Sequence, residues 1–217
     1  MKRLTLMASV LAAAALGQGA QPDSGEAVKT QDSVLVLYAP GIPGDLAARM
    51  VAWVERWYGI SVEQREEAGL SEGLPADFLT RRIRGDVAKK RLVLLIVDSP
   101  PAEGEPDKSI QRLTATVSAL NLATLRDARQ QSDLQRQLFN ERAEREALRA
   151  VAGLLALPEC PFPRCPLSGH RDLAELDAKG RGLCPPCSIC AAERVKTLGL
   201  SAQAREAERS DVSPGSP

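Results

Sequence analysis

The sequence predicts an α/β domain, an open sheet flanked by helices, and three observations carry that prediction. Ser33 to Tyr38 is a short apolar run stopped by Pro40, Gly41, Pro43 and Gly44, the pattern of a buried strand. Leu46, Met50, Trp53, Val54 and Trp57 then recur at helical spacing before Gly59. Arg91 to Val97 is the strongest strand signal in the chain. Strand, helix and strand in that order favour a sheet covered by helices.

The remaining elements follow in chain order. Asp45 is placed to cap the first helix, and Ile60 to Val62 reads as a second strand. Pro75 to Lys90 is basic and weakly helical, and is expected to cover the sheet. Asp98 ends the strong strand before Pro100 and Pro101. A strand-end Asp can serve a site, but more commonly it caps a loop. Leu113 to Val117 and Leu120 to Leu125 are β-compatible, although their Ala and Leu content also suits a helix. Ser132 to Leu157 is the longest helical segment, opened by Ser132 or Asp133 and ended near Gly153 and Pro158. Leu134, Leu138, Leu148, Val151 and Leu155 are expected on its buried face, and Glu141, Arg142, Glu144 and Arg145 on its solvated side.

The length of 217 residues suits one compact domain with a targeting segment and a tail. Met1, Lys2 and Arg3 precede an uncharged run from Leu4 to Leu16 and then small residues, so residues 1–20 read as a cleaved signal peptide. That run is shorter than the roughly 20 residues a membrane-spanning helix needs, so no lasting membrane anchor is expected. Residues 21–32 form a polar linker, 33–190 the domain, and 191–217 a charged tail. In the tail, Ala191 to Arg209 is helix-compatible and the end is expected to be disordered. This architecture implies a periplasmic or secreted protein. The 28 acidic and 28 basic side chains cancel, which gives no reason to expect nucleic acid or an anionic membrane as partner. His170 is the one histidine, so a two-His zinc hydrolase site cannot be built within the chain.

The five cysteines carry the clearest chemistry. Cys160 and Cys165 enclose one tight turn, and Cys184 and Cys187 enclose another. Two such turns can aim four thiolates at one tetrahedral zinc, one structural Zn2+ per chain. Two disulfides in an oxidising compartment, or a redox CxxC, are the competing readings. Cys190 could replace Cys187 as a ligand or stay free. His170 could stand in for one cysteine, but reads better as an exposed loop histidine.

From Arg145 through Cys160, Cys165, Cys184 and Cys187 the sequence resembles the C-terminal half of the archaemetzincins. That family's pattern is HExxHxxGxxHC, then x4-C, a methionine two residues later, and a CxxC pair about 17 residues beyond. Asp177 and Lys179 also match its Asp-x-Lys. The resemblance is specific in the cysteine half, and the upstream elements follow the expected order from about Ser33. It implies a metzincin-like mixed sheet with flanking helices and a C-terminal cysteine-rich zinc knuckle, with the Ser132 to Leu157 helix in the place of the active-site helix.

The departures from that pattern bear on function. Counting back from Cys160, the three zinc histidines fall at Arg149, Gly153 and Glu159 and the catalytic glutamate at Ala150. The family glycine falls at Ala156 and the Met-turn methionine at Leu167. The usual chemistry needs a metal to acidify water and a carboxylate to accept its proton. The resemblance therefore implies a metallopeptidase scaffold without peptidase activity, able to take a peptide or protein by strand addition at a sheet edge. The alternative is a working hydrolase with a site rebuilt from Glu144, Glu146 and Glu159.

Overall fold

A computed structural model describes residues 34–70, 91–100, 108–127 and 132–200. It contains a five-stranded sheet in the order β2-β1-β3-β5-β4. The strands are β1 (Val34–Tyr38), β2 (Val62–Glu66), β3 (Leu92–Val97), β4 (Ile110–Arg112) and β5 (Val117–Asn121). Strands β1, β2, β3 and β5 are mutually parallel, with Val36 opposite Leu94 and Leu95 opposite Ala119. Only β4 runs antiparallel, against β5. The uninterrupted apolar runs of β1 and β3 follow from this order, since central parallel strands are buried on both faces.

Helix α1 (Gly44–Tyr58) buries Leu46, Met50 and Val54, and ends at Gly59, whose φ of 62° is a left-handed cap. Its N-cap is Pro43, so Asp45 sits inside the first turn and complements the helix dipole without capping. The second strand begins at Val62 and extends to Glu66 along the sheet edge, with only Ile60 of the expected segment buried. The ambiguous stretch after Lys108 resolves into β4, β5 and a 3-10 turn at Leu122–Leu125, capped by Asn121.

Helix α2 (Asp133–Leu154) packs against α1 and β5. Ser132 and Gln135 form its capping box. Its end is a Schellman turn: Leu157 N–H donates to Ala152 O at 2.9 Å and Ala156 N–H to Gly153 O at 3.1 Å. Ala156 therefore carries a φ of 55°, at the position where the archaemetzincin pattern has glycine.

The burial of α2 departs from the amphipathic expectation. Leu134 is 66% exposed, whereas Arg142, Glu144, Arg145 and Glu146 are buried. The helix packs against both β5 and α1, and ion pairs join it to Arg49, Asp177 and Arg181. Most polar atoms of these side chains have partners: Arg145 donates to Glu141 and to Gly180 O, although its Nη1 has no partner among the described residues, and Glu146 accepts from Ser109 and Arg149. Arg142 donates to both carboxylate oxygens of Asp177 (2.7 and 2.6 Å), and Glu144 accepts from Arg49 (2.8 Å) and Arg181 (2.6 Å).

Two further helices complete the described residues, α3 (Leu173–Asp177) and α4 (Pro185–Thr197). The expected tail helix thus starts earlier, at Pro185, and carries Cys187 and Cys190 on its first turns. No helix among the described residues is long and apolar enough to cross a membrane. The signal-peptide and linker segments, the Pro75 to Lys90 segment and the end of the tail lie outside the described residues.

Candidate functional site

Two sites follow from this frame, a thiol cluster and a cleft beside α2. The thiol cluster joins the segment after α2 to the start of α4. Cys160 N–H donates to Leu167 O and Cys165 N–H to Phe162 O, which curls that segment into a knuckle. Cys184 is the N-cap of α4 and Cys187 lies one turn into it, so the Pro185–Pro186 step is the opening of a helix. The four Sγ atoms lie within 4.8 Å of one another, Cys160 to Cys184 at 3.6 Å and Cys165 to Cys187 at 3.9 Å.

Those spacings are of the size that a tetrahedral thiolate site sets. Tetrahedral Zn–S bonds of about 2.3 Å place sulfurs about 3.8 Å apart, whereas a disulfide needs about 2.05 Å. All five cysteines are free thiols, and Cys190 is exposed outside the quartet. Burial pushes the Cys160 and Cys187 thiols up. Cys184 is also opposed by burial, but the Cys187 backbone N–H and the neighbouring thiols bring it below the ordinary thiol value. The quartet could hold a metal ion, and it leaves no fifth protein ligand or open position of the kind catalytic zinc uses.

Lys179 holds the knuckle from behind. Its buried ammonium donates to Pro163 O (3.2 Å), Ser168 Oγ (2.5 Å) and Gly169 O (2.8 Å). Burial, then the Arg149 charge, lowers its pKa, while Glu175, Glu146 and Cys165 act the other way.

The cleft is a cavity of about 480 Å³ between β4, the Leu122–Leu125 turn and the segment after His170. The four α2-side positions that would carry family catalytic groups are all occupied otherwise. Arg149 Nη1 donates to Glu146 Oε1 (3.0 Å), Glu146 Oε2 (3.3 Å) and His170 Nδ1 (2.8 Å). The Ser109 hydroxyl donates to Glu146 Oε2. Ala150 is buried and has no proton acceptor, Gly153 has no side chain, and Glu159 accepts from the Gly169 N–H.

His170 is therefore not the exposed loop residue the sequence suggested, since only 12% of its side chain is exposed. An arginine can only donate, so Nδ1 accepts and the ring proton sits on Nε2. Burial lowers the His170 pKa, Arg149 and Lys179 lower it further, and Glu146 and Glu175 oppose them.

A catalytic zinc does not fit these residues. The guanidinium of Arg149 stands at the first ligand position, and Glu144, Glu146 and Glu159 are each engaged with different partners. Among the described residues, the cysteine quartet is the one group of three or more potential ligands brought together. Sequence reasoning did not find the network of Ser109, Glu146, Arg149 and His170, or the bonds by which Lys179 holds the knuckle. Glu146, Arg149, His170 and Lys179 were each named for other reasons, while nothing in the sequence pointed to Ser109.

No family model matches the sequence, and a search of curated proteins gave no match. Solved structures do match. An archaemetzincin from Methanopyrus kandleri superposes with a TM-score of 0.56 at 21% identity, over 77% of this chain and 98% of its own. A zinc-dependent peptidase from Methanocorpusculum labreanum gives 0.54 at 16% identity, over 73% and 99%. An archaemetzincin from Archaeoglobus fulgidus, complexed with malonate, gives 0.52 at 14% identity, over 71% and 98%. The fold of this chain is thus the archaemetzincin fold, with its mixed sheet, flanking helices and C-terminal cysteine cluster.

Proposed function

We propose that this is an exported, non-catalytic protein on an archaemetzincin fold, keeping one structural zinc on Cys160, Cys165, Cys184 and Cys187 and using its cleft to bind a peptide. One observation carries the loss of activity. Arg149, bonded to Glu146 and His170, fills the place of a metal ligand with a fixed cation. Zinc chemistry would require a neutral or anionic donor there and a carboxylate at Ala150 to take a proton from water. Neither is present, so no step of peptide hydrolysis is derived.

The zinc would have a mechanical role. Its four thiolates would couple the segment after α2 to α4, making metal binding part of folding. The peptide-binding role rests on topology. Strand β4 ends the sheet among the described residues, and Ser109 and Ile110 at its start line the cleft. An extended peptide could pair with that edge through main-chain hydrogen bonds. Export rests on the N-terminal sequence of residues 1–20 alone.

Metal analysis and thiol counting on the purified chain test this reading. One zinc per chain, four protected thiols and no chelator-sensitive peptidase activity are expected. A second bound metal with chelator-sensitive cleavage would establish the rebuilt hydrolase instead. Two disulfides without metal would remove the knuckle. Mass measurement of the exported product reads the cleavage near residue 20.

A further inference from the structure

The charges of the chain cancel overall, yet they are segregated in the cleft. Among the described residues, its lining carries Lys108, Arg126, Arg149 and Arg171 against a single acid, Asp172. Asp172 is committed locally, since its Oδ1 accepts the Glu175 N–H as a helix cap. The carboxylates that pair with three of these cations, Asp98, Glu146 and Glu175, do not line the cavity. Lys108 has no ion-pair partner among the described residues.

Arg149 is built as a presenting group. Glu146 behind it is wholly buried and is fixed by the Ser109 hydroxyl, so it anchors Nη1 without reaching the cavity. The Nε and Nη2 groups of Arg149 make no hydrogen bond among the described residues, and 30% of the side chain is exposed. His170 accepts from Arg149 through Nδ1, which leaves its Nε2–H as a further donor in the cavity lining. Thus a pre-oriented guanidinium fork, a ring N–H and flanking ammonium and guanidinium groups face a cavity whose one acid among the described residues is committed.

We propose that the cleft recognises a carboxylate of the bound peptide, clamped by the free edge of Arg149 and assisted by Lys108. A planar two-oxygen anion matches the planar two-donor edge of an arginine. The carboxylate can come from the peptide C-terminus or from an acidic side chain. This inference rests on the peptide-binding reading and does not involve the zinc.

Three capped peptides distinguish the sources: acetyl-tetraalanine with a free carboxylate, the same peptide as its amide, and acetyl-Ala-Glu-Ala-Ala amide. Binding to the zinc-loaded full chain is read by ligand-detected NMR or calorimetry at low salt. At least one carboxylate peptide is expected to bind tenfold or more tightly than the uncharged amide, and the preferred one identifies the source. The variant Arg149→Met paired with Glu146→Leu removes the clamp without leaving a buried charge, and should abolish the preference. Lys108→Met lies on the exposed rim and should weaken only the carboxylate peptides, with a flatter salt dependence. Equal binding of all three peptides would overturn the carboxylate clamp and leave strand addition standing. Absence of binding by any of them would overturn both. A preference that survives loss of Arg149 would place the anion elsewhere and refute the assignment.

Discussion

Replacing Asp177 by alanine tests the burial of charge along α2. Arg142 is 6% exposed at its side chain and makes three bonds, to Asp177 at 2.7 and 2.6 Å and to Leu125 O at 3.0 Å. The Asp177 hydrogen bonds hold its pKa above the ordinary guanidinium value, against the effect of burial. Asp177→Ala would leave that cation in place with one carbonyl partner. Breaking a buried pair from one side costs about 3–5 kcal/mol. Asp177 is 26% exposed, so water reaches the site and the lower end, about 3 kcal/mol, applies. At about 2–4 °C per kcal/mol for a chain of this length, the melting temperature should fall by about 6–12 °C. The reverse change, Arg142→Met, should cost less, about 1–2 kcal/mol, because Asp177 can turn to solvent and only the Leu125 carbonyl is left short of a partner. Urea and thermal unfolding at fixed zinc occupancy measure both. A loss within about 0.5 kcal/mol for Asp177→Ala would return this face of α2 to the solvated state that the sequence pattern suggests.

Four other outcomes are expected. Cys184→Ser should lower both metal content and melting temperature, and zinc added back should restore neither in full; unchanged unfolding would exclude a structural metal. Ala156→Gly should raise stability by roughly 1 kcal/mol, since an L side chain at a φ of 55° is disfavoured by about that amount; a loss in denaturant midpoint would contradict the left-handed turn. Gly182→Ala should destabilise by about 1–3 kcal/mol and shift tryptophan emission, because an added Cβ would overlap the Trp57 ring; a silent variant would mean the ring moves freely. The His170 pKa is lowered by burial in the folded state, so its contribution is complete above the unfolded value near 6.5. It declines as pH falls towards the lower folded value, where the unfolded chain takes the proton first. Glu146 and Glu175 face the ring and oppose this, while Arg149 and Lys179 favour it. His170→Gln should flatten the pH dependence of the urea midpoint between pH 7.5 and 5, and an unchanged slope would place the titration elsewhere.

Local patterns revealed the fold wherever one rule decided the outcome. β1 and β3 are continuous apolar runs between breakers, α1 has one apolar stripe and a glycine stop, and the cysteine spacing brought four thiols together from two segments 24 residues apart at Cys160 and Cys184. What stayed hidden depended on partners distant in sequence. Arg142 and Glu144 look like solvated helix residues until Asp177, Arg49 and Arg181 are seen beside them. Leu134 looks like core by spacing alone, but the first turn of α2 leaves it exposed. His170 looked exposed because nothing local to it announced Arg149, 21 residues earlier. β4 and β5 were blurred because three- and five-residue strands carry little periodicity, and position in the sheet decides their burial: β4 is an edge strand, whereas β5 lies between β3 and β4.

On the reading proposed above, the cysteine knuckle does not depend on the cleft, and the physical reason lies in what each does for the fold. The cysteine knuckle closes the chain between α2 and α4, so losing its ligands would loosen packing that includes buried Leu167 and Ala191. At the cleft, the residues present have to satisfy one another. Glu146, wholly buried one turn before Arg149, cannot remain charged without a cation or donors. Arg149 and the Ser109 hydroxyl supply them, and Lys179 anchors the backbone at Gly169, beside the ring that Arg149 also holds. Arg149→His alone would therefore not bring back a zinc ligand set: Gly153 and Glu159 still lack imidazoles, and Glu146 would lose its strongest partner. The Schellman turn at Ala156 is made by backbone bonds of the helix end alone, so its geometry does not depend on any group in the cleft.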